Sequence, residues 1–191
     1  MLFSLPNQLT WARILMIPLV MGVFYLPPAW LSPAERNLAA TVFFVIAALT
    51  DLVDGWLARK LGQTSAFGAF LDPVADKLMV TAALLVLLQM DRVDAAVAFI
   101  IIGREITISA LREWMAKIGA AKSVAVSFIG KLKTTAQMIA IPMLLFHDPL
   151  GPLAPQMLGT GLIYIAAVLT LWSMIYYLRK AWPVILARVD K

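Results

Sequence analysis

The sequence predicts an all-α integral membrane protein: a single domain, residues 1–191, with six transmembrane helices. Three observations predict it. Hydrophobic residues fill 62% of the 191 positions and charged residues only 14%, with a mean hydropathy of +0.87, whereas a soluble domain carries about a quarter charged residues. Helices solvated by lipid need no polar face, so membrane burial explains the shortfall. The apolar residues also fall into six runs divided by Pro, Gly and polar positions. Finally, Arg59, Lys60, Lys117, Lys122, Arg179, Lys180, Arg188 and Lys191 gather on one side of the predicted spans, against Arg36 and Arg92 on the other. The positive-inside rule makes the richer side cytoplasmic, with both termini there.

The first run, Leu9 to Tyr25, follows Pro6-Asn7, a helix-start pair with Asn7 as a candidate cap. It lacks a basic start and a small-residue cleavage site, so it reads as a retained helix rather than a signal peptide. Pro27-Pro28 ends it, and Ser32-Pro33 opens the next. The second span runs from about Asn37 to Lys60 and the third, after a short loop containing Gly62, from about Gly68 to Met90. The fourth covers Ala95 to Met115, with a turn near Gly119 to Ser123. The fifth covers Val124 to Phe146 and the sixth Met157 to Leu178, separated by the Pro/Gly-rich stretch His147 to Pro155.

Composition also limits the chemistry. The chain has no cysteine and one histidine, His147, in a turn-like His-Asp-Pro. Disulfides, thiolate sites and a His-rich metal site are excluded. Any metal here is held by oxygen, which favours hard cations such as Mg²⁺ or Mn²⁺. The net charge of +5 suits cytoplasmic loops and anionic lipid headgroups. No basic stretch is interleaved with aromatics, so nucleic acid is not an expected partner.

The informative residues are carboxylates inside apolar runs. Asp51 and Asp54 lie in the second span, Asp72 and Asp76 in the third. A mid-helix charge costs about 2.5–3.5 kcal/mol on insertion scales, and Arg59 and Lys77 offset only part of four. Asp51 and Asp54 are three apart and Asp72 and Asp76 four apart, so each pair shares a helix face. With a short connection between antiparallel neighbours, the four converge, and one or two divalent cations relieve their repulsion. Taken singly, Asp72-Pro73 reads as a helix start and Asp54-Gly55 as a turn. Gly55 and Ala58 leave the Asp51/Asp54 face bare, so a bulky ligand can approach the backbone, although small residues also serve close helix packing. Arg59 offers a planar fork to a phosphate, and Gly68 a second gap. The set suggests a nucleotide diphosphate.

Asp51-Leu-Val-Asp54-Gly55-Trp-Leu-Ala58-Arg59, eight residues, Gly68, three residues, Asp72, three residues and Asp76 resembles the signature of the CDP-alcohol phosphotransferases at all eight positions. Leu5 to Arg13, Phe70 to Lys77, Arg104-Glu105 with Ala110 to Trp114, and Gly130 to Gln137 are similar to the bacterial phosphatidylglycerophosphate synthase branch of that family. The resemblance implies the family's six-helix membrane fold. It implies transfer of the phosphatidyl group from CDP-diacylglycerol to sn-glycerol 3-phosphate, with release of CMP, by a homodimer in the bacterial inner membrane. It implies that Asp51, Asp54, Asp72 and Asp76 hold two Mg²⁺ (or Mn²⁺) ions, with Asp76 also the base. It places Gly55, Ala58, Arg59, Ser65 and Gly68 on the CDP moiety, and Asn7 and Thr10 at the nucleotide or lipid entrance. For the acceptor phosphate it points to Arg112 and Lys131, with Arg104 and Lys133 behind them. Arg104 and Arg112 are two turns apart on one helix face, and buried cations need an anionic partner that Glu105 alone cannot supply. For Lys133 above all, and also for Arg104 and Arg112, the alternative is snorkelling to the interface.

Two other functions remain open on sequence. Serine, inositol phosphate or a second phosphatidylglycerol are acceptors that the signature does not distinguish. A cation transporter would also place carboxylates in the membrane, but would distribute them through its depth, whereas these gather at one face.

Overall fold

A computed structural model describes residues 5–61, 66–120 and 128–189. Six helices carry the chain: α1 Leu5–Gly22, α2 Pro33–Leu61, α3 Ala66–Gln89, α4 Ala95–Lys117, α5 Phe128–Phe146 and α6 Pro155–Val189. Among the described residues there is no strand, only an isolated bridge between Leu150 and Leu153. Gln8–Tyr25, Pro33–Gly55 and Pro155–Ala187 are long and apolar enough to cross a membrane. The protein is an integral membrane protein, and α3, α4 and α5, the helices outside that set, each carry charged residues of the site.

Helix ends follow local chemistry. Ser32 caps α2: its hydroxyl accepts the Glu35 N–H at 3.3 Å, and the Ser32 N–H donates to the Glu35 carboxylate at 2.7 Å. This reciprocal capping box, with Pro33 at the first helical position, starts α2 four residues before the apolar run suggests. At the end of α4, the Ala120 N–H reaches Met115 O at 2.8 Å and the Gly119 N–H reaches Ala116 O at 3.0 Å. That closure needs a left-handed residue, and Gly119 supplies it with φ +76°. α6 is longer than its predicted span: 35 residues make a rod of about 50 Å at 1.5 Å per residue, longer than a bilayer's hydrocarbon core. Neither Asp72-Pro73 nor Asp54-Gly55 is a helix boundary, since both lie inside helices.

The core runs along the middle of the bundle, through Phe44, Ala83, Leu84, Leu87, Ile101, Ile141, Leu144 and Ile163. α5 and α6 form the most extensive pair, and α4 packs on α6. Gly159 allows the α5–α6 approach: a Cβ there would sit 2.9 Å from Leu144 Cγ and 3.2 Å from the Ala140 carbonyl oxygen. α1 packs more extensively on α2 and on α3 than those two do on each other, so the expected α2–α3 neighbours meet chiefly through α1. The outward surface is apolar: Phe99 is 77% exposed, Phe128 79% and Met157 77%, as expected where lipid is the solvent.

Opposite the basic side, Arg92 ties three elements together. Its guanidinium donates to the carbonyls of Leu144 at 3.1 Å and Leu145 at 2.8 Å, in the last turn of α5, and to Asn37 Oδ1 at 2.8 Å in α2. Asn37 in turn donates to Asp148 at 3.1 Å. Arg92→Ala leaves these terminal carbonyls without their charged donor, a loss of about 2–3 kcal/mol. The midpoint of thermal unfolding in detergent is expected to fall by several degrees; an unchanged midpoint would remove the staple from the account.

Candidate active site

The acidic half of the site is held by α1. Arg13 is buried at 1% exposure and pairs with Asp51 at 2.7 Å and, in closer contact, with Asp54. One turn earlier, the Thr10 hydroxyl donates to Asp72 at 2.6 Å. Thr10 and Arg13 lie three residues apart, so a single face of α1 reaches carboxylates on both α2 and α3. Asp54 is 3% exposed, and a buried carboxylate is tolerated only with such a partner. No motif in the sequence gives Arg13 a role of its own. An arginine in an otherwise apolar run is the signal that marks it.

Asp51, Asp72 and Asp76 line one wall of a cavity of ≈ 400 Å³, and Lys77, Arg104, Glu105, Arg112, Lys133 and Thr134 line much of the rest. The cavity is thus two-signed: α2 and α3 supply three aspartates and Lys77, and α4 and α5 supply Arg104, Arg112 and Lys133 with Glu105. Lys133 is buried and ion-paired to Glu105, which Arg104 also meets at 3.1 Å. Lys133 therefore does not snorkel. Lys131 is exposed and is not among the residues lining this cavity. The Nε atoms of Arg104 and Arg112 are buried and have no hydrogen-bond partner among the described residues. Both guanidiniums lie over the ring of Tyr177, with Cζ 5.6 Å from the centroid for Arg104 and 5.0 Å for Arg112. Helical side chains lean toward the N-terminus, so Arg112 reaches back toward Arg104 across two turns.

A second cavity, ≈ 330 Å³ and mostly apolar, adjoins the first. Phe44, Ala47 and Leu52 of α2, Met79 of α3 and Met138 and Ile139 of α5 line it, and Asp51, Asp76 and Thr134 line both cavities. A molecule with apolar tails and a phosphorylated head fits this adjacency.

The residues expected on the nucleotide are placed in part. Gly55 lies on α2 one turn beyond Asp51, and Gly68 is buried near the start of α3. Ser65 and Lys122 lie outside the described residues, and of Asn7, Ala58 and Arg59 only the backbone is described. The four aspartates offer an all-oxygen donor set suited to a hard cation, and three of them share one cavity. As they stand, no three acidic or histidine side chains among the described residues are grouped to hold an ion; the Arg13 guanidinium supplies the counter-charge for Asp51 and Asp54. The donor chemistry fits.

Nearly the whole chain is similar to proteins of named activity. A sequence model described as CDP-alcohol phosphatidyltransferase matches residues 3–172. Two relatives named CDP-diacylglycerol–glycerol-3-phosphate 3-phosphatidyltransferase, from Escherichia coli (strain K12) and Shigella flexneri serotype 5b (strain 8401), are each 48% identical over 183 residues, 95% of this chain and 96% of theirs. A protein of the same name from Salmonella choleraesuis (strain SC-B67) is 47% identical over the same coverage.

Proposed function

The chain belongs to the CDP-alcohol phosphatidyltransferase family, and from that membership we propose that it transfers the phosphatidyl group of CDP-diacylglycerol to sn-glycerol 3-phosphate, releasing CMP and forming phosphatidylglycerophosphate. The observation that carries this reading is the two-signed cavity, whose acidic wall suits metal-bound diphosphate and whose basic wall suits an acceptor that is itself phosphorylated.

Asp51, Asp54, Asp72 and Asp76 would hold divalent cations, two Mg²⁺ or Mn²⁺ ions, which when bound neutralise charge on the diphosphate and the departing CMP. Arg13 and Thr10 hold three of these carboxylates from α1. Arg104, Arg112 and Lys133 hold the acceptor phosphate, which fixes its primary hydroxyl relative to the lipid-side phosphorus. Asp76 stands where the polar and apolar cavities meet and takes the proton from that hydroxyl. The new P–O bond forms as the bond to CMP breaks. Gly55, Ala58, Arg59, Ser65 and Gly68 contact the CDP moiety, with Asn7 and Thr10 toward its entrance. The acyl chains approach through the apolar cavity between α2, α3 and α5.

All six helices span the bacterial inner membrane, with both termini and the site on the cytoplasmic side and the chain assembled as a homodimer. A cation path is disfavoured because the core between the site and the Arg92 end is apolar. The decisive assay follows CMP release and lipid product from labelled CDP-diacylglycerol with glycerol 3-phosphate, serine, inositol phosphate or phosphatidylglycerol as acceptor. Turnover with glycerol 3-phosphate alone is expected. Faster turnover with an acceptor lacking a phosphate would overturn the assignment.

A further inference from the structure

Tyr177 lies on α6, a helix with no described residue in the lining of the polar cavity, and it is fully buried beside Ile108, Met115 and Ala181. Two guanidiniums from α4 close on its ring, while Tyr176 meets the same ring edge-on, centroids 5.6 Å apart and planes at 75°. Two arginines held near one another repel, and their usual companion is a carboxylate. A carboxylate between them would occupy their N–H edges and repel an incoming phosphate. An aromatic face attracts guanidinium groups through its quadrupole without accepting their in-plane N–H bonds. The unpartnered Nε atoms of Arg104 and Arg112 agree with this arrangement: the ring gathers the pair without taking these N–H groups, and among the described contacts Glu105 takes only the Nη1 of Arg104.

We propose that Tyr177 is a positioning residue for the acceptor, its ring holding Arg104 and Arg112 at the spacing at which they take the phosphate of glycerol 3-phosphate. The proposal rests on the reading that these two arginines bind that phosphate. In this role the ring need touch neither substrate nor metal. It acts through the two side chains, so its loss should appear in acceptor affinity rather than in use of the CDP-lipid.

The test compares purified full-length Tyr177→Phe with proteins carrying 4-fluoro- and 3,4,5-trifluorophenylalanine at position 177, which weaken the ring's negative face at nearly constant shape. Tyr177→Leu and Arg112→Ala are assayed beside them. The KM for glycerol 3-phosphate should rise stepwise with fluorination and roughly tenfold in Tyr177→Leu, about the size of a desolvated cation–π contact. The KM for CDP-diacylglycerol and the unfolding midpoint of the fluorinated set should stay constant. Inhibition by inorganic phosphate should weaken in parallel. An acceptor KM indifferent to fluorination, or both KM values rising together, overturns the proposal while Arg112→Ala still raises the acceptor KM. If Arg112→Ala leaves that KM unchanged, the reading of the arginines fails, and the role of Tyr177 fails with it.

Discussion

Asp76→Asn is expected to lower kcat by about 10²–10⁴-fold, the usual contribution of a positioned general base, while CDP-diacylglycerol still binds. Asp76 is one of two carboxylates lining both the polar and the apolar cavity, which places it between acceptor and lipid donor. Asp51, the other, is held by Arg13, and among the hydrogen bonds and ion pairs described none occupies Asp76. Asparagine keeps the shape and one oxygen but cannot take a proton. Asp51, Asp54 and Asp72 remain to engage the diphosphate through metal. Single-turnover CMP release, measured beside equilibrium binding of the CDP-lipid, separates the two effects. Rates close to wild type would remove Asp76 as the base; loss of lipid binding in equal measure would make it a ligand only.

Arg13→Leu should be the most destabilising single change in the acidic half. The guanidinium is buried, and its removal leaves Asp54, at 3% exposure, without its described partner. Breaking a buried pair from one side costs about 3–5 kcal/mol because the remaining charge keeps its desolvation penalty. Arg13→Lys should recover part of this, since one ammonium cannot fork to Asp51 and Asp54 together. Pairing Arg13→Leu with Asp54→Leu should restore most of the lost stability, giving a coupling energy that thermal or denaturant unfolding in detergent measures. Additive effects of the two substitutions would mean that the ion pair contributes nothing.

Much of this arrangement is legible in sequence because it is local. The six apolar runs become six helices, since length and hydropathy are properties of contiguous residues. The facing of Asp51 with Asp54, and of Asp72 with Asp76, follows from helical period alone. What escapes the sequence depends on contacts between distant segments. Arg13 meets residues about forty positions away, and an aromatic in an apolar run such as Tyr177 gives no sign that two arginines will rest on it. The placement of α1 against both α2 and α3 is likewise tertiary. The two lysines of α5 fall between these cases. Lys133 shares its face with Gly130, Gln137, Ala140 and Leu144, all buried, whereas Lys131 follows Leu132, Thr135 and Ile139 outward. That periodicity is present in the sequence, but nothing local indicates which face turns inward. Helix ends shifted for equally local reasons: polar Glu35 and Arg36 hide the first turn of α2, although Ser32 and Glu35 carry its capping signature.

Binding of Mn²⁺ to the purified protein, followed by electron paramagnetic resonance, bears most directly on whether carboxylates from α2 and α3 form one metal centre. Wild-type protein should bind about two ions per chain, as suits four carboxylates around a diphosphate, with Asp51→Asn and Asp72→Asn each losing bound Mn²⁺ although they lie on different helices. Unaltered Mn²⁺ binding in a protein carrying both substitutions would contradict the account.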